Sequence, residues 1–278
     1  MIMTQSKANK LINTAIAVLF VSLLIFPVII LLNTSLQTYE EIRSWPPTWF
    51  TNLKWENYVS VLQGDKSIIE PVKNSAIVST ASMLICVCVG TLAAYAVSRY
   101  RFFGSKFFLI IVILTQMFSP VILVTPMYVI FKELDILDTL LSLIIANTAS
   151  SLPMTIWLLN SYFSAIPKSY EEASWMDGSN RLQGICNVIV PIALPGILTA
   201  GIFAFIQSWG DLVYAQSFIL SPELRTISLA LTDFKDLYKT QWETQMAASF
   251  LSSIPTVIIF VIIQKHLIRG MSNQGLKG

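Results

Sequence analysis

The residues of this 278-residue chain that could do covalent chemistry lack the spacing that catalysis needs. His266 is the only histidine, and the sequence contains neither a GxSxG nucleophile turn nor an HExxH metal motif. The GxxxxGK[ST] phosphate loop of ATP-binding proteins is also missing. We therefore expect a protein that is not an enzyme and that acts by binding other molecules.

The most informative polar segment is the connection over residues 167–186. Ser169-x-x-Glu172 has the spacing of a capping box, in which the serine accepts from an orphan helix amide and the glutamate reaches back to the cap amide. The pattern predicts a short helix after Pro167, a left-handed bend at Gly178 and a second turn of helix beyond it. Such an elbow suits docking into a cleft of a soluble partner, and a purely structural loop satisfies the same pattern.

Uncharged polar side chains within otherwise apolar segments are candidates for lining a solute path. They are Gln116, Asn147, Asn160, Gln207 and Trp209. Side chains of this kind also form hydrogen bonds between packed helices, so both roles stay open. No charged residue lies deep in an apolar segment, where burying Asp or Arg costs about 2.5–3.5 kcal/mol. An uncharged polar solute is therefore easier to explain than an ion.

The elements that must hold these residues are membrane spans. Hydrophobic residues make up 54% of the chain and charged residues 12%, which excludes disordered, disulfide-scaffold and soluble-enzyme classes. Six windows of at least 21 residues contain no Lys, Arg, Asp or Glu, and a bilayer crossing needs about 20 apolar residues. Because these runs do not alternate as barrel strands do, the chain is predicted to be an all-α integral membrane protein, a single transmembrane domain over 1–278. The predicted spans are 12–32, 74–98, 107–131, 140–163, 187–209 and 244–265.

The charge distribution predicts which side each connection faces, because Lys and Arg accumulate on the cytoplasmic side. With both termini inside, the inside connections hold ten basic and three acidic residues, and the outside connections hold eight and thirteen. The tight loop 99–106 carries three cations and no anion, whereas 132–138 carries one cation and three anions. Both termini and the 167–186 elbow are therefore predicted to be cytoplasmic.

Two large connections, 33–73 and 211–243, are then extracytoplasmic. The first is rich in Trp, Pro and Tyr, which is typical of a membrane-interface belt. Plain interfacial anchoring and contact with a partner both explain that composition. The second carries eight charged residues, and it suits a solvated loop, a partner-binding segment or the cover of a cavity.

Within the elbow, one motif resembles a known family. Glu172-Ala173-Ser174, Gly178 after three residues, and Val188-x-Val190-Pro191 after nine more are similar to the EAA loop of ATP-binding-cassette importer permeases, EAA-x3-G-x9-I-x-L-P. Ser174, Val188 and Val190 depart from that pattern but leave its spacing intact. The resemblance implies the type I importer permease fold, with six transmembrane helices and a cytoplasmic coupling helix in the EAA loop. The ATPase-subunit interface that it implies consists of Glu171, Glu172, Ala173, Ser174, Asp177 and Gly178.

A wider resemblance covers most of the chain and is to the sugar-importer branch, the permeases similar to the second membrane subunit of the maltose transporter. The matching segments are Asn57-Tyr58, Asn74-Ser75, 94–96, 99–104, 126–128, 167–195, 209–215 and 275–278. One departure concerns the site, because the family commonly has Trp-Asn-Glu/Asp-Phe where this chain has Gly210 and Leu212. A solute contact made by that family asparagine therefore does not carry over.

The resemblance implies a permease subunit of an ATP-driven, binding-protein-dependent importer for a carbohydrate, a di- or oligosaccharide, in a bacterial or archaeal plasma membrane. It implies that the chain forms half of the path with a second homologous permease subunit, docks two cytoplasmic ATP-binding-cassette ATPase subunits, and receives solute from an extracytoplasmic sugar-binding protein. The chain would contact membrane lipid, no nucleic acid and no cofactor of its own, since ATP and Mg belong to the ATPase subunits. The alternative is a subunit of an ion-coupled secondary carrier for a neutral polar solute, against which the lack of carboxylates within the spans argues.

Overall fold

The fold was analysed in a computed structural model that describes residues 7–100, 104–235 and 241–274, with side chains described from 12 to 264. The predicted cytoplasmic cations Arg101 and Lys277 and the matching segment 275–278 lie outside the described residues. The α-helices, numbered in chain order, are α1 (Lys7–Ser35), α2 (Tyr39–Ile42), α3 (Glu56–Gln63), α4 (Ile69–Arg99), α5 (Ser105–Thr115), α6 (Pro120–Glu133), α7 (Leu140–Ala165), α8 (Ser169–Met176), α9 (Arg181–Gly184), α10 (Val190–Trp209), α11 (Val213–Phe218), α12 (Ile227–Ala230) and α13 (Trp242–Gln274).

Five described helical segments are long and apolar enough to cross a membrane, and a sixth is broken. The five are Ile12–Ser35, Ile69–Arg99, Leu140–Ala165, Arg181–Trp209 and Trp242–Gln264. The fourth of these joins α9 to α10 through a π-helical turn over Ile185–Ile189, two residues before Pro191. The prediction of an all-helical membrane protein is confirmed, with six spans when the broken segment is counted as one.

The third predicted span, 107–131, is broken into the two helices α5 and α6. The chain bends by 96° between α5 and α6. Pro120 is the first residue of α6, and Ser119 before it is extended, with φ −64° and ψ 137°. Proline has no amide hydrogen to donate and disfavours helical backbone in the residue before it, so the helix ends and restarts there.

The chain forms two compact units, of which the first comprises residues 1–68 and 231–253. Residues 12–30 of α1 are exposed, and the buried polar residues Asn33 and Gln37 mark the end of that helix. The side-chain amides of Asn33 and Gln37 donate to the Thr48 carbonyl at 3.2 and 2.7 Å, so the aromatic connection folds back on the helix end. The hydroxyl groups of Ser35 and Tyr58 lie 2.6 Å apart and join α1 to α3.

The second unit comprises residues 69–230 and 254–278 and has α4, α7 and α10 packed together at its centre. A Cβ placed on Gly90 of α4 would lie 2.8 Å from Thr155 Cγ2 of α7, and one on Gly196 of α10 would lie 2.3 Å from the Tyr162 ring. Small residues therefore let these helices approach closely, as is common in membrane bundles. Buried Ser and Thr side chains such as Ser82 and Thr155 bond to helix carbonyls along the same contacts.

The connections at the predicted outer end of this unit are held by specific hydrogen bonds. The Asn74 side chain donates to the carbonyls of Glu223 and Arg225 at 2.8 and 3.0 Å. Asp138 accepts from the backbone amides of Leu220 and Ser221 at 2.8 and 2.9 Å and from the Ser221 hydroxyl. The segment after α11 is thereby fixed to the starts of α4 and α7.

Candidate functional site

The EAA segment folds into two short helices joined at Gly178. Residue Gly178 has φ +86°, the left-handed bend that the sequence predicts. Its amide donates to the Trp175 carbonyl at 3.1 Å, and the amide of Ser179 donates to the Ser174 carbonyl at 3.0 Å. These two bonds form a Schellman motif, which satisfies the last carbonyls of α8 and fixes the direction in which the chain leaves it.

The predicted capping box at the start of α8 is wrong. The helix starts after Lys168, whose backbone is already helical, and no side chain caps it. The amides of Glu171 and Glu172 donate to the Lys168 carbonyl at 3.0 and 3.1 Å, so the backbone itself supplies the partners that Ser169 was expected to supply. A capping box does form at the start of the next helix, α9.

That second box joins Asn180 and Gln183. The Gln183 amide donates to Asn180 Oδ1 at 2.9 Å, and the Asn180 amide donates to Gln183 Oε1 at 2.9 Å. The Asn-x-x-Gln spacing was present in the predicted 167–186 elbow, beside the second turn of helix expected there, but its capping role was not predicted.

The six residues predicted to form the ATPase interface divide into two sets. The side chains of Glu172, Ala173 and Asp177 are exposed, as is Gly178. Glu171 and Ser174 are buried on the opposite face of α8, 4% and 7% exposed. Their side chains therefore face the interior of this chain, because a helix of two turns has only one outward face. The six residues stay a predicted interface, and the four exposed ones form its outward part.

Glu171 is buried because it has a partner in α4. Its carboxylate forms an ion pair with Arg99 Nε at the last residue of that helix, and both side chains are only 6% exposed. The hydroxyl of Tyr95 donates to the other carboxylate oxygen at 2.9 Å. Arg99 also donates through Nη1 to the carbonyl of Ile166 at 3.0 Å. The elbow is thus held against the core of the second unit by an ion pair and hydrogen bonds as well as by packing.

The outward surface of the elbow combines exposed apolar and acidic side chains. Met176 is 89% exposed and Leu182 72% exposed, and they lie on either side of the Gly178 bend. Glu172 and Asp177 add two negative charges beside them. Exposed apolar residues rimmed by charge are typical of a surface that binds another protein.

A second polar cluster lies along α7 and includes two of the predicted path residues. Asn147 donates to the Leu143 carbonyl at 3.0 Å and to Asp211 Oδ2 at 3.4 Å. Gln116 donates to the Ser150 carbonyl at 2.9 Å. The Ser150 and Tyr214 hydroxyls lie 2.6 Å apart. The cluster therefore links the broken third segment, α7 and the segment after α10.

Asp211 is the charged member of this cluster. Its carboxylate accepts from the backbone amides of Tyr214 and Ala215 at 3.1 and 3.3 Å, which starts α11. Burial raises the pKa of Asp211, and the hydrogen bonds from Tyr214 and Asn147 oppose that rise. The sequence places Asp211 among the eight charges of the 211–243 connection, and the structure shows that it lies beside Asn147.

The remaining predicted path residues are dispersed. Trp209 is buried, 8% exposed, with its ring stacked on Phe205 at a centroid distance of 5.6 Å. Gln207 is exposed, and Asn160 is half-buried on α7, 13 residues or about 20 Å along the helix from Asn147. The structure therefore groups Gln116 and Asn147 but does not bring these three to them. Within the described residues no group of three or more His, Cys, Asp or Glu side chains could hold a metal ion.

Comparison with known proteins identifies what this architecture belongs to. Residues 86–273 match the family of the binding-protein-dependent transport system inner membrane component. The chain belongs to this family of importer permeases. The matched region contains the elbow, its ion pair with α4 and the α7 cluster.

Relatives match the importer permease over nearly its whole length. It is 34% identical to the inner membrane ABC transporter permease YcjP of Escherichia coli, over 94% of each chain. It is 33% identical to the sulfoquinovosyl glycerol transport system permease SmoH of Agrobacterium fabrum, over 91% of this chain and 89% of that one. It is also 33% identical to the trehalose/maltose transport system permease MalG of Thermococcus litoralis, over 80% and 81%.

The fold agrees with a solved structure. A bacterial ABC transporter involved in the import of the acidic polysaccharide alginate contains a chain that superposes with a TM-score of 0.75, at 22% identity, covering 95% of this chain and 99% of that one. The protein is therefore the multi-pass inner-membrane permease subunit of a binding-protein-dependent ABC importer. It works with a binding protein and an ATPase and is not itself the ATPase.

Proposed function

We propose that this importer takes up a neutral di- or oligosaccharide. The relatives named for trehalose/maltose and sulfoquinovosyl glycerol transport support a carbohydrate. The absence of Lys, Arg, Asp and Glu from the apolar windows supports an uncharged solute, because an ion would need charged or coordinating groups along its path. Gln116, Asn147, Asn160, Gln207 and Trp209 remain the proposed lining of that path.

The assembly we propose has four membrane-associated subunits and a binding protein. This chain forms half of the path beside a second homologous permease, and two cytoplasmic ATPase subunits supply ATP hydrolysis with Mg. A sugar-binding protein delivers solute from outside the bacterial or archaeal plasma membrane. Both termini and the elbow are cytoplasmic in this arrangement, as the charge of the connections indicates.

The observation that supports coupling to an ATPase is the two-sided arrangement of the elbow. Its outer face exposes Glu172, Asp177, Met176 and Leu182, while its inner face bonds to α4 through Glu171. A segment that has one face free and the other fastened to a span suits the transfer of ATPase closure to the membrane helices. Alternation of the path between its two faces then follows as a rigid-body movement of packed helices.

The test is transport by the reconstituted complex. Proteoliposomes that contain this permease, its paired permease and the ATPase are given the binding protein and a panel of radiolabelled mono-, di- and oligosaccharides. We expect uptake of a di- or oligosaccharide that requires internal ATP and the binding protein. Uptake driven by a proton or sodium gradient without ATP, or ATP-driven uptake of an ion or amino acid only, would contradict the proposal.

A further inference from the structure

The ion pair between Glu171 and Arg99 is buried, and docking of an ATPase does not require a buried ion pair. Both side chains are 6% exposed, so neither can be reached by a partner subunit, yet both are charged. One belongs to the coupling helix α8 and the other to the last residue of α4, a membrane-spanning helix. The pair is therefore a direct link between the surface that binds the ATPase and a helix of the central bundle.

Several further bonds close the same junction. Tyr95, one turn before Arg99 on α4, donates its hydroxyl to Glu171 Oε2 at 2.9 Å. Arg99 Nη1 donates to the carbonyl of Ile166, which precedes α8, at 3.0 Å. Lys168 Nζ donates to the carbonyl of Arg99 at 3.4 Å. The end of α4 is thus bonded to the start of α8 by both side chains and backbone.

Stability alone is a weak explanation for charges in this position. Removing two charges from water has a large desolvation cost, and apolar residues of similar volume often stabilise a protein as well or better. Once the pair is buried, however, pulling its members apart leaves two unpaired charges in a medium of low dielectric constant. An apolar contact can slide at little cost, whereas this pair resists separation. That property is useful where two elements must move together.

We propose that the Arg99–Glu171 pair, held by Tyr95, is the positioning device that makes α4 follow α8 when the ATPase subunits close. This inference rests on the proposed function, because it assumes that closure is transmitted through the elbow. It assigns different tasks to adjacent acids: Glu172 faces the ATPase, and Glu171 transmits the resulting movement into the membrane. Loss of the pair uncouples ATP hydrolysis from transport while the ATPase stays docked.

The test compares four variants in the reconstituted complex with wild type. Glu171→Gln removes the charge and keeps the shape, and the double change Arg99→Met with Glu171→Met removes both charges and leaves none unpaired. Tyr95→Phe removes only the hydroxyl that holds the carboxylate. Glu133→Gln is the matched control, because it neutralises an exposed acid at the end of α6, outside the elbow. The readouts are co-elution of the ATPase, ATP hydrolysis with and without binding protein, and disaccharide accumulated per ATP, with trehalose as the first probe.

We expect Glu171→Gln and the double variant to co-elute with the ATPase as wild type does, and to hydrolyse ATP with at least a fivefold lower yield of transported sugar per ATP. Tyr95→Phe should lower that yield less than Glu171→Gln does, because it removes one hydrogen bond to the carboxylate and leaves the ion pair in place. Glu133→Gln should keep the wild-type co-elution and the wild-type yield. Since a merely structural role changes the amount of complex but not this ratio, the ratio is decisive.

Three outcomes would overturn the inference. The first is a wild-type transport ratio in Glu171→Gln or in the double variant. The second is a parallel loss of docking and hydrolysis, which would make the pair only a support for the docking surface. The third is failure of both variants to assemble, which would make it a folding requirement. A wild-type complex that responds to its binding protein but accumulates no sugar contradicts the proposed solute instead, and stimulation of ATP hydrolysis then replaces the transport ratio as the readout.

Discussion

Two adjacent glutamates of α8 show how much of the site is decided by single side chains. Successive helix positions differ in direction by about 100°, so Glu171 and Glu172 face opposite environments, one buried and one exposed. The sequence predicted both as part of one interface, because the motif does not indicate which acid faces inward. The deciding residue is Arg99, which lies far away in the chain and reaches Glu171 only after α4 and α8 have packed.

The outward acid is expected to be sensitive to charge reversal. Glu172→Lys should reduce co-purification of the ATPase about tenfold or more, because it removes a partner for a basic group and adds like-charge repulsion at the docking surface. The permease itself should still reach the membrane, since Glu172 is exposed and Glu171 keeps its pair. Quantification of the ATPase bound per permease after affinity purification checks the prediction.

The matched control for Glu172→Lys is Glu133→Lys. Glu133 is the exposed last residue of α6, on the side that the charge count places outside the membrane. Its reversal should leave ATPase binding unchanged. Equal losses in the two variants would indicate a general effect of charge on membrane insertion and would remove Glu172 from the interface.

A second residue-scale expectation concerns acid stability. Hydrogen bonds from the side chain and amide of Ser221 and from the Leu220 amide hold the pKa of Asp138 below its ordinary value. A depressed folded-state pKa means that the ionised carboxylate contributes stability above its unfolded pKa of about 3.9, and that this contribution is lost as the pH falls through the folded-state value. Asp138→Asn should therefore lower the melting temperature at pH 7 by roughly 2–4 °C, or about 1 kcal/mol. Its melting temperature should also fall less than that of wild type between pH 6 and pH 3.

Asp135→Asn is the control for that measurement. Asp135 lies in the same short connection and has a similar positive φ, 54° against 55° for Asp138. Its carboxylate has no hydrogen-bond partner among the described residues. Melting curves of the purified permease in detergent at pH 7, 6 and 3 should therefore show wild-type behaviour for Asp135→Asn. If both variants melted like wild type at all three pH values, the hydrogen bonds of Asp138 with Leu220 and Ser221 would not contribute to stability.

At the scale of elements, apolar length predicted where helices form but not where they break. The five unbroken spans follow from long charge-free windows, since only helices satisfy every backbone group inside a bilayer. The third window has the same composition, yet Pro120 stops α5 from continuing into α6. Pro27, Pro126 and Pro195 lie inside helices that do continue, so a proline alone did not identify the break. Tertiary packing decides between a kink and a break.

The elbow offers an element-scale test of backbone geometry. Gly178 has φ +86°, and a Cβ added there would meet no atom within 4 Å, so side-chain crowding plays no part. Gly178→Val should strain the left-handed position by about 1–2 kcal/mol and misdirect α9. We expect ATPase co-purification and sugar uptake to fall severalfold at matched membrane levels.

Gly178→Asn separates the backbone effect from the loss of glycine. Asparagine tolerates the left-handed conformation and commonly follows a helix end, so this variant should retain most of the coupling that valine loses. Wild-type uptake in Gly178→Val would show that the bend is not required. Equal loss in both variants would instead indicate that the added side chain obstructs the ATPase.

For the whole molecule, the sequence predicted the structural class better than the internal contacts, and the orientation stays a prediction. The length of an apolar segment and the number of Lys and Arg residues in a connection can be read from the sequence without knowing how the helices pack. Both predict how the chain lies in a bilayer. The polar cluster of Asn147, Asp211, Tyr214 and Ser150 joins separate helices, and nothing in the local pattern relates those positions. The division of the chain into spans was therefore predictable, whereas the lining of the path stays a prediction.

The broken third segment makes the topology the sharpest whole-molecule prediction. If α5 and α6 together cross the membrane, a cysteine at Lys106 labels from the cytoplasm and one at Leu134 from outside. If they form a re-entrant loop instead, both label from the same side. Met176 and Leu220, 89% and 70% exposed, extend the test to the elbow and to the connection after α11. Positions 103 and 236, which the charge count also assigns to opposite sides, lie outside the described residues.

The measurement uses single-cysteine variants in a background in which Cys86, Cys88 and Cys186 are replaced by serine, with a membrane-impermeant maleimide applied to right-side-out and inverted vesicles. We expect Lys106→Cys and Met176→Cys to label only in inverted vesicles, and Leu134→Cys and Leu220→Cys only in right-side-out ones.

The expected pattern needs six crossings, because an odd number of crossings between 106 and 134 places the elbow on the cytoplasmic side, where the ATPase binds. The reverse pattern would overturn the orientation. Labelling of 106 and 134 from the cytoplasm and of 176 from outside would show five crossings and exclude the elbow from the ATPase interface.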